Sequence, residues 1–181
     1  MKFITIIGLC GKAGSGKSTV AQYLQENYGF ERIAFADALK EMLFKSGIVS
    51  PSDLAKKTPY ARFLLQRIGT DIMRKQVDSD FWVNKTLIRI GELISKGKKK
   101  IVIEDVRFPN EVELIKLYNG KIIKIIRNHN NTLNKENLKN HESESFIDQI
   151  SADFIINNAG TVNDLYKELE KIIFKIQEGE C

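Results

Sequence analysis

Apolar positions along the chain follow two alternating rhythms. Phe3-Ile4-Thr5-Ile6-Ile7-Gly8-Leu9 is a continuous β-branched run, the pattern of a strand buried on both faces. Val20, Ala21 and Leu24 then recur at helical spacing, which predicts a helix over residues 17–28 with Gly29 as its stop. Residues 32–36 read as a short second strand, and Asp37 is placed to cap a helix over 38–43. Ser50-Pro51 and Thr58-Pro59 are helix-start signals. A helical stretch over 60–74 contains Gly69-Thr70, a pair that predicts either a break or the close approach of a ligand. Asp78-Ser79-Asp80 opens a further helix that carries Trp82, Leu87, Ile90 and Leu93 and closes on the basic run 96–100.

Ile101-Val102-Ile103-Glu104-Asp105 is a second strong strand, apolar and ending in acid. Pro109 fits the first turn of the helix that follows, and Gly120 ends it. Residues 121–127 and 153–157 complete the strands, and Leu165, Leu169, Ile172, Ile173 and Ile176 mark a C-terminal helix. Strands alternating with helices predict a doubly wound parallel α/β sheet of about five strands covered on both faces. The expected organisation is one domain over 1–181, with a helical acceptor-binding excursion over about 38–97. The polar, weakly patterned stretch from about 128 to 145 reads as a short lid.

The first strand and first helix flank Gly11-Lys12-Ala13-Gly14-Ser15-Gly16-Lys17-Ser18-Thr19, which reads G-x-x-x-x-G-K-[ST]. This is the phosphate-binding loop of P-loop NTPases, and here it has the strand and helix that the motif needs. Gly11, Gly14 and Gly16 let backbone amides converge on an anion. Lys17 is expected on the β- and γ-phosphates and the Ser18 hydroxyl on Mg²⁺.

The bulk properties narrow the classes. The chain has 181 residues, 43% hydrophobic and 28% charged, enough for a packed core. A net charge of +5 suits an anionic small substrate. Two cysteines, Cys10 and Cys181, make no disulfide framework and fit a reducing cytosol. No apolar stretch approaches a membrane span, and the N-terminal apolar run reads as strand rather than signal peptide. The expected location is the cytoplasm. Neither histidine has metal-ligand spacing, and no nucleophile elbow is present.

A kinase acting on a phosphorylated acceptor brings two anions together, and Arg is suited to offset their repulsion. Arg62, Arg67, Arg74, Arg107 and Arg127 are the candidates. Asp105 sits where a Walker B acid would hold Mg²⁺ through water, although it can equally cap a turn. Asp37 follows a strand's carboxyl end, where α/β ligand sites lie, and is a candidate catalytic carboxylate as well as a cap. Arg107 and Glu111, four apart, read either as a surface pair or as site residues past a strand end. Trp82 can stack on a nucleobase, although spacing alone favours the core.

Taken together, the loop 11–19, Phe35-Ala36-Asp37-Ala38-Leu39-Lys40, Leu65-Gln66-Arg67-Ile68-Gly69-Thr70-Asp71 with Arg74, Asp80-Phe81-Trp82-Val83, Asp105-Val106-Arg107-Phe108-Pro109-Asn110-Glu111, His141-Glu142-Ser143-Glu144 and Asn157-Asn158-Ala159-Gly160-Thr161 resemble the bacteriophage-type deoxynucleoside monophosphate kinases. The resemblance covers nearly the whole chain. It implies transfer of the γ-phosphate of ATP, with Mg²⁺, to a deoxynucleoside monophosphate. It implies that Arg62, Gln66, Gly69, Thr70 and Trp82 bind the acceptor, with Trp82 stacking on the base. It implies that Asp105, Arg107 and Glu111 lie where the two substrates meet, and that Ser15, Lys17, Ser18 and Thr19 are among the ATP-phosphate and Mg²⁺ contacts. It also suggests a homodimer with no stable nucleic-acid partner, and a host's cytoplasm if the protein is phage-encoded; the absence of an apolar span points to no membrane partner.

This sequence departs from the family in two places. Some phage members carry Asp after the loop lysine, where this chain has Ser18. The stretch 128–140 has no arginine, so Arg127 with Lys135 and Lys139, or the arginines of 62–74, must supply the cation that lids often bring. Two rival readings share the loop. One is a kinase resembling dephospho-coenzyme A kinase or phosphomevalonate kinase. The other is a nucleotide-gated nucleic-acid-binding protein, supported only by the basic balance and the run 98–100.

Overall fold

A computed structural model describes residues 4–127 and 142–179. The chain divides into two compact units, the first made of the segments before and after residues 34–97 and the second of residues 34–97 themselves. The lid expected near 128–145, with Lys135, Lys139 and His141, lies largely outside the described residues.

The first unit is built on five parallel strands in the order β2-β3-β1-β4-β5. They are β1 (Thr5–Cys10), β2 (Glu31–Ile33), β3 (Lys100–Val106), β4 (Lys121–Ile126) and β5 (Phe154–Asn157). β1 is central, and the strand order reverses around it, so the loop leaving β1 sits at the topological switch point. Helices α1 (Lys17–Tyr28) and α8 (Val162–Glu178) cover one face. Val20, Ala21 and Leu24 of α1 and Leu165, Leu169 and Ile173 of α8 bury against Ile7, Leu9, Val102, Ile123 and Ile125. The period-3.6 stripe of each helix thus meets one set of alternate strand positions. Helix α6 (Pro109–Leu117) packs beside β1 and β4, burying Leu114 and Ile115, and a short helix α7 (Glu142–Gln149) precedes β5. The expected doubly wound sheet is therefore present, and its strands are apolar because both faces are covered.

β2 is shorter than the expected 32–36. The Ala34 N–H donates to the Asp37 carboxylate at 2.7 Å instead of continuing a ladder. Asp37 is therefore the first residue of α2 (Asp37–Lys45), not its side-chain cap, and its carboxylate closes the turn after β2.

The second unit is helical: α2, α3 (Pro51–Lys56), α4 (Pro59–Gln66), a π-helical segment (Arg67–Val77) and α5 (Phe81–Ser95). Ser50 and Thr58 cap α3 and α4, each followed by Pro at the first helical position. The expected break at Gly69-Thr70 is a widening into π turns rather than a stop. Leu39, Leu43, Val49, Ala61 and Trp82 form this unit's core.

One ion pair anchors the edge of the sheet. Lys116 Nζ lies 2.6 Å from both Asp153 carboxylate oxygens, and the Ile122 N–H donates to one of them at 2.6 Å. Burial raises the Asp153 pKa, but the Ile122 N–H and Lys116 outweigh it and hold the group below the usual aspartate value. A depressed folded pKa stabilises above the ordinary Asp value of about 3.9 and is lost as pH falls through the folded value. Asp153→Asn is expected to cost about 1–2 kcal/mol at pH 7 and to flatten the loss of stability below about pH 4. Melting temperature against pH for both proteins checks this, and parallel curves would sink it.

Candidate active site

The turn from β1 into α1 is shaped by three glycines at positive φ: Gly11 (147°), Gly14 (77°) and Gly16 (110°). Two of them also leave room that a side chain would fill. A Cβ on Gly11 would stand 2.4 Å from the Ile125 carbonyl oxygen and 2.7 Å from Ser15 Oγ. A Cβ on Gly16 would stand 2.7 Å from Asn158 Nδ2. The Ser15 N–H donates to Lys12 O at 3.1 Å and closes the loop, and the Val20 N–H to Gly16 O bond (3.0 Å) starts α1. The first N–H groups of such a helix lack intrahelical acceptors and point at whatever anion occupies the loop.

Ser15 is buried, and its Oγ is the one buried side-chain N or O without a hydrogen-bond partner among the described residues. A buried hydroxyl with no partner costs free energy unless a ligand completes it, and a phosphate oxygen would. Lys17 Nζ folds back over the loop, donating to Gly11 O at 2.5 Å and Lys12 O at 2.9 Å. Ser18 is exposed and Thr19 half-buried at the helix start. Cys10, buried under the loop, has its thiol pushed up to about 11 by burial, against the lowering influence of Lys124 and Lys17, so it is no thiolate nucleophile at neutral pH.

The turn after β3 stands next to this loop. Cys10 pairs with Val106, so Gly11 and Arg107 leave neighbouring strand ends. Between the Gly8–Ile103 and Cys10–Val106 pairs β3 spends one more residue than β1, a bulge at Glu104-Asp105 that re-aims those side chains. Asp105 and Arg107 are half-buried. Arg32 Nη2 grips Glu104, the first residue of the bulge, at 2.8 Å.

Glu111 is not the exposed member of a surface pair with Arg107. It is 2% exposed, and its Oε2 accepts from the backbone N–H of Arg107 (2.7 Å) and of Phe108 (3.1 Å). It thereby caps α6 and fixes the turn that carries Arg107.

In the second unit, Trp82 lies in the core, the place that spacing alone favours. It is 4% exposed, lies edge-on to Phe81 at 4.8 Å, and its indole N–H donates to Gly69 O at 2.9 Å. Its polar atom is thus satisfied within this unit. Gly69 is explained by packing as well: it is buried, and a Cβ there would stand 2.7 Å from Leu39 Cδ2. Arg62 and Gln66 are exposed and Thr70 half-buried. Arg62 Nε donates to Lys57 O, Arg67 pairs with Asp71 at 3.3 Å, and Arg74 donates to Ser79 O. Arg127 is exposed just past β4.

The segment Asn157–Thr161 carries the resemblance, but nothing in its sequence indicates that the Asn158 side chain reaches the loop from the end of β5, nor does the pattern of β3 reveal its bulge. No cluster of three metal-ligating side chains occurs among the described residues. Ser18 and Asp105 offer one hydroxyl and one carboxylate, the sparse protein share that Mg²⁺ takes when phosphates and water complete its shell. No helix among the described residues is long and apolar enough to cross a membrane.

A family model described as deoxynucleotide monophosphate kinase matches residues 53–169. A protein of Acanthamoeba polyphaga mimivirus, provisionally named a deoxynucleotide monophosphate kinase, is 30% identical over 92% of this chain and 94% of its own. The deoxynucleotide monophosphate kinase of Escherichia phage RB69 is 26% identical over 62% of this chain and 44% of its own. A dephospho-CoA kinase of Fusobacterium nucleatum is 27% identical over 93% of this chain and 96% of its own. Among solved structures, dephospho-CoA kinase from Campylobacter jejuni covers 98% of both chains with a TM-score of 0.55 and 16% identity, a likeness of fold.

Proposed function

The chain belongs to the deoxynucleotide monophosphate kinase family, and from that premise we propose that it transfers the γ-phosphoryl group of ATP to a deoxynucleoside monophosphate, giving ADP and the diphosphate. An oxygen of the acceptor phosphate attacks the γ-phosphorus, and the bond to the β–γ bridging oxygen breaks. The carrying observation is the glycine cradle with its unpartnered Ser15 hydroxyl, beside the turn that bears Arg107. The amides of Gly14, Gly16, Lys17, Ser18 and Thr19 bind the donor phosphates, and Lys17 leaves its carbonyl partners for phosphate oxygens. Ser18 and Asp105 hold Mg²⁺, which when bound neutralises charge on the phosphates.

Arg107, held by its backbone to Glu111, offsets the repulsion between donor and acceptor phosphates. The second unit, residues 34–97, is read as the acceptor-binding part of one kinase domain, with Arg62, Gln66 and Thr70 as its contacts. Asp37 stays in the catalytic set as a carboxylate following β2.

A second reading, a dephospho-CoA kinase activity, is favoured by the near full-length similarity to the Fusobacterium protein. ADP release with ATP and Mg²⁺ against dAMP, dGMP, dCMP, dTMP, their ribo counterparts and dephospho-CoA separates the two. Turnover of at least one deoxy acceptor is expected, falling by about 10²–10³ in kcat/KM with Arg107→Ala. Turnover with dephospho-CoA alone would overturn the acceptor reading while leaving the loop assignment standing.

A further inference from the structure

β5 ends at Asn157, and the next residue, Asn158, is 7% exposed. Its N–H donates to Ile126 O at 2.7 Å, pinning it to the end of β4. Its side-chain Nδ2 donates to Ser15 O at 2.9 Å in a buried bond that spans 143 residues of sequence. The same Nδ2 fills the space beside Gly16, where a Cβ would come within 2.7 Å of it.

We propose that Asn158 is a positioning residue of the phosphate loop, fixing the plane of the Ser15–Gly16 peptide so that the Gly16 N–H faces the anion. The inference rests on the nucleotide-binding reading above. In a trans peptide the carbonyl and the N–H point in opposite directions, so holding Ser15 O against Asn158 sends the Gly16 N–H the other way. At a glycine that plane rotates cheaply, because both signs of φ are open to it. Gly16 sits at φ 110°, so the freedom that lets the loop form also lets its peptide flip. A flipped peptide would present a carbonyl oxygen to phosphate in place of an N–H. Asn158 selects the productive orientation from a strand end that is itself fixed by the sheet.

The test is binding of inorganic tripolyphosphate and of ATP by Asn158→Ala and Asn158→Asp, with melting temperatures measured alongside. Asn158→Ala is expected to weaken both ligands about tenfold, the worth of one buried hydrogen bond. Asn158→Asp keeps the size, loses the donor and adds negative charge, so it should weaken both further. It also carries the test if the alanine variant does not fold. A lowered melting temperature with tripolyphosphate affinity kept within twofold would make Asn158 a stabilising residue only and overturn the proposal. Loss confined to ATP would move its role to the base or sugar and overturn it equally. A wild-type chain that binds neither ligand would sink the nucleotide-binding reading itself.

Discussion

Lys17→Ala is expected to lower kcat by about 10³-fold, roughly 4 kcal/mol of transition-state stabilisation, while the protein stays folded. Phosphoryl transfer asks little covalent chemistry of a protein, so removing one positioned charge from the transferring oxygens removes much of what the site supplies. In the structure the ammonium is already gathered over the loop, against the Gly11 and Lys12 carbonyls. Those are carbonyl acceptors of a charged donor at a half-buried site, and losing them costs about 1.5–3 kcal/mol of stability, less than the expected loss of transition-state stabilisation. Activity and melting temperature should therefore separate. Lys17→Arg should not restore the rate, because a planar fork on a longer stem cannot replace a compact ammonium inside so tight a loop. Steady-state kinetics with ATP and the best deoxy acceptor decide the matter. A kcat within tenfold of the parent would remove Lys17, and with it the loop, from the reaction.

The parts of this fold that follow from local pattern were legible, and those that depend on which atom meets which were not. Helix α1 runs over Lys17–Tyr28 with Gly29 beyond it at φ 70°, as the apolar spacing and the glycine stop predict. The strand alternation implied the parallel sheet, because only burial on both faces explains runs such as Ile101-Val102-Ile103. Periodicity could not tell an α from a π turn, so the segment Arg67–Val77 was visible only as an irregularity at Gly69-Thr70. Spacing put Arg107 and Glu111 within reach of each other but did not say that Glu111 would take the backbone N–H. For Trp82, spacing indicated core and the family resemblance indicated a base platform, and burial with a satisfied indole N–H supports core. The Asn158–Ser15 bond joins residues at opposite ends of the chain, and only the closed sheet brings them together.

Glu111 is where fold and site depend on the same side chain, and Glu111→Ala is expected to cost roughly 3–5 kcal/mol of stability. Two backbone donors, the Arg107 and Phe108 N–H groups, would lose their acceptor in a buried place, at about 1–3 kcal/mol each. A cavity at a 2% exposed position adds to that, and the first turn of α6 loses a negative charge that its dipole favours. For a chain of this size the loss corresponds to a fall in melting temperature of about 10 °C. Glu111→Gln keeps an acceptor oxygen and the volume but must also find a partner for its amide, so about 1–2 kcal/mol is expected. The functional part of the argument concerns what remains folded. If Glu111 holds the turn that carries Arg107, the glutamine variant, assayed well below its melting point, should lose kcat more than it raises the KM for ATP, because the donor cradle is built from other residues. A glutamine variant with parental kcat and a lowered melting temperature would confine Glu111 to the fold, and would leave Arg107 positioned by something other than the Glu111 carboxylate.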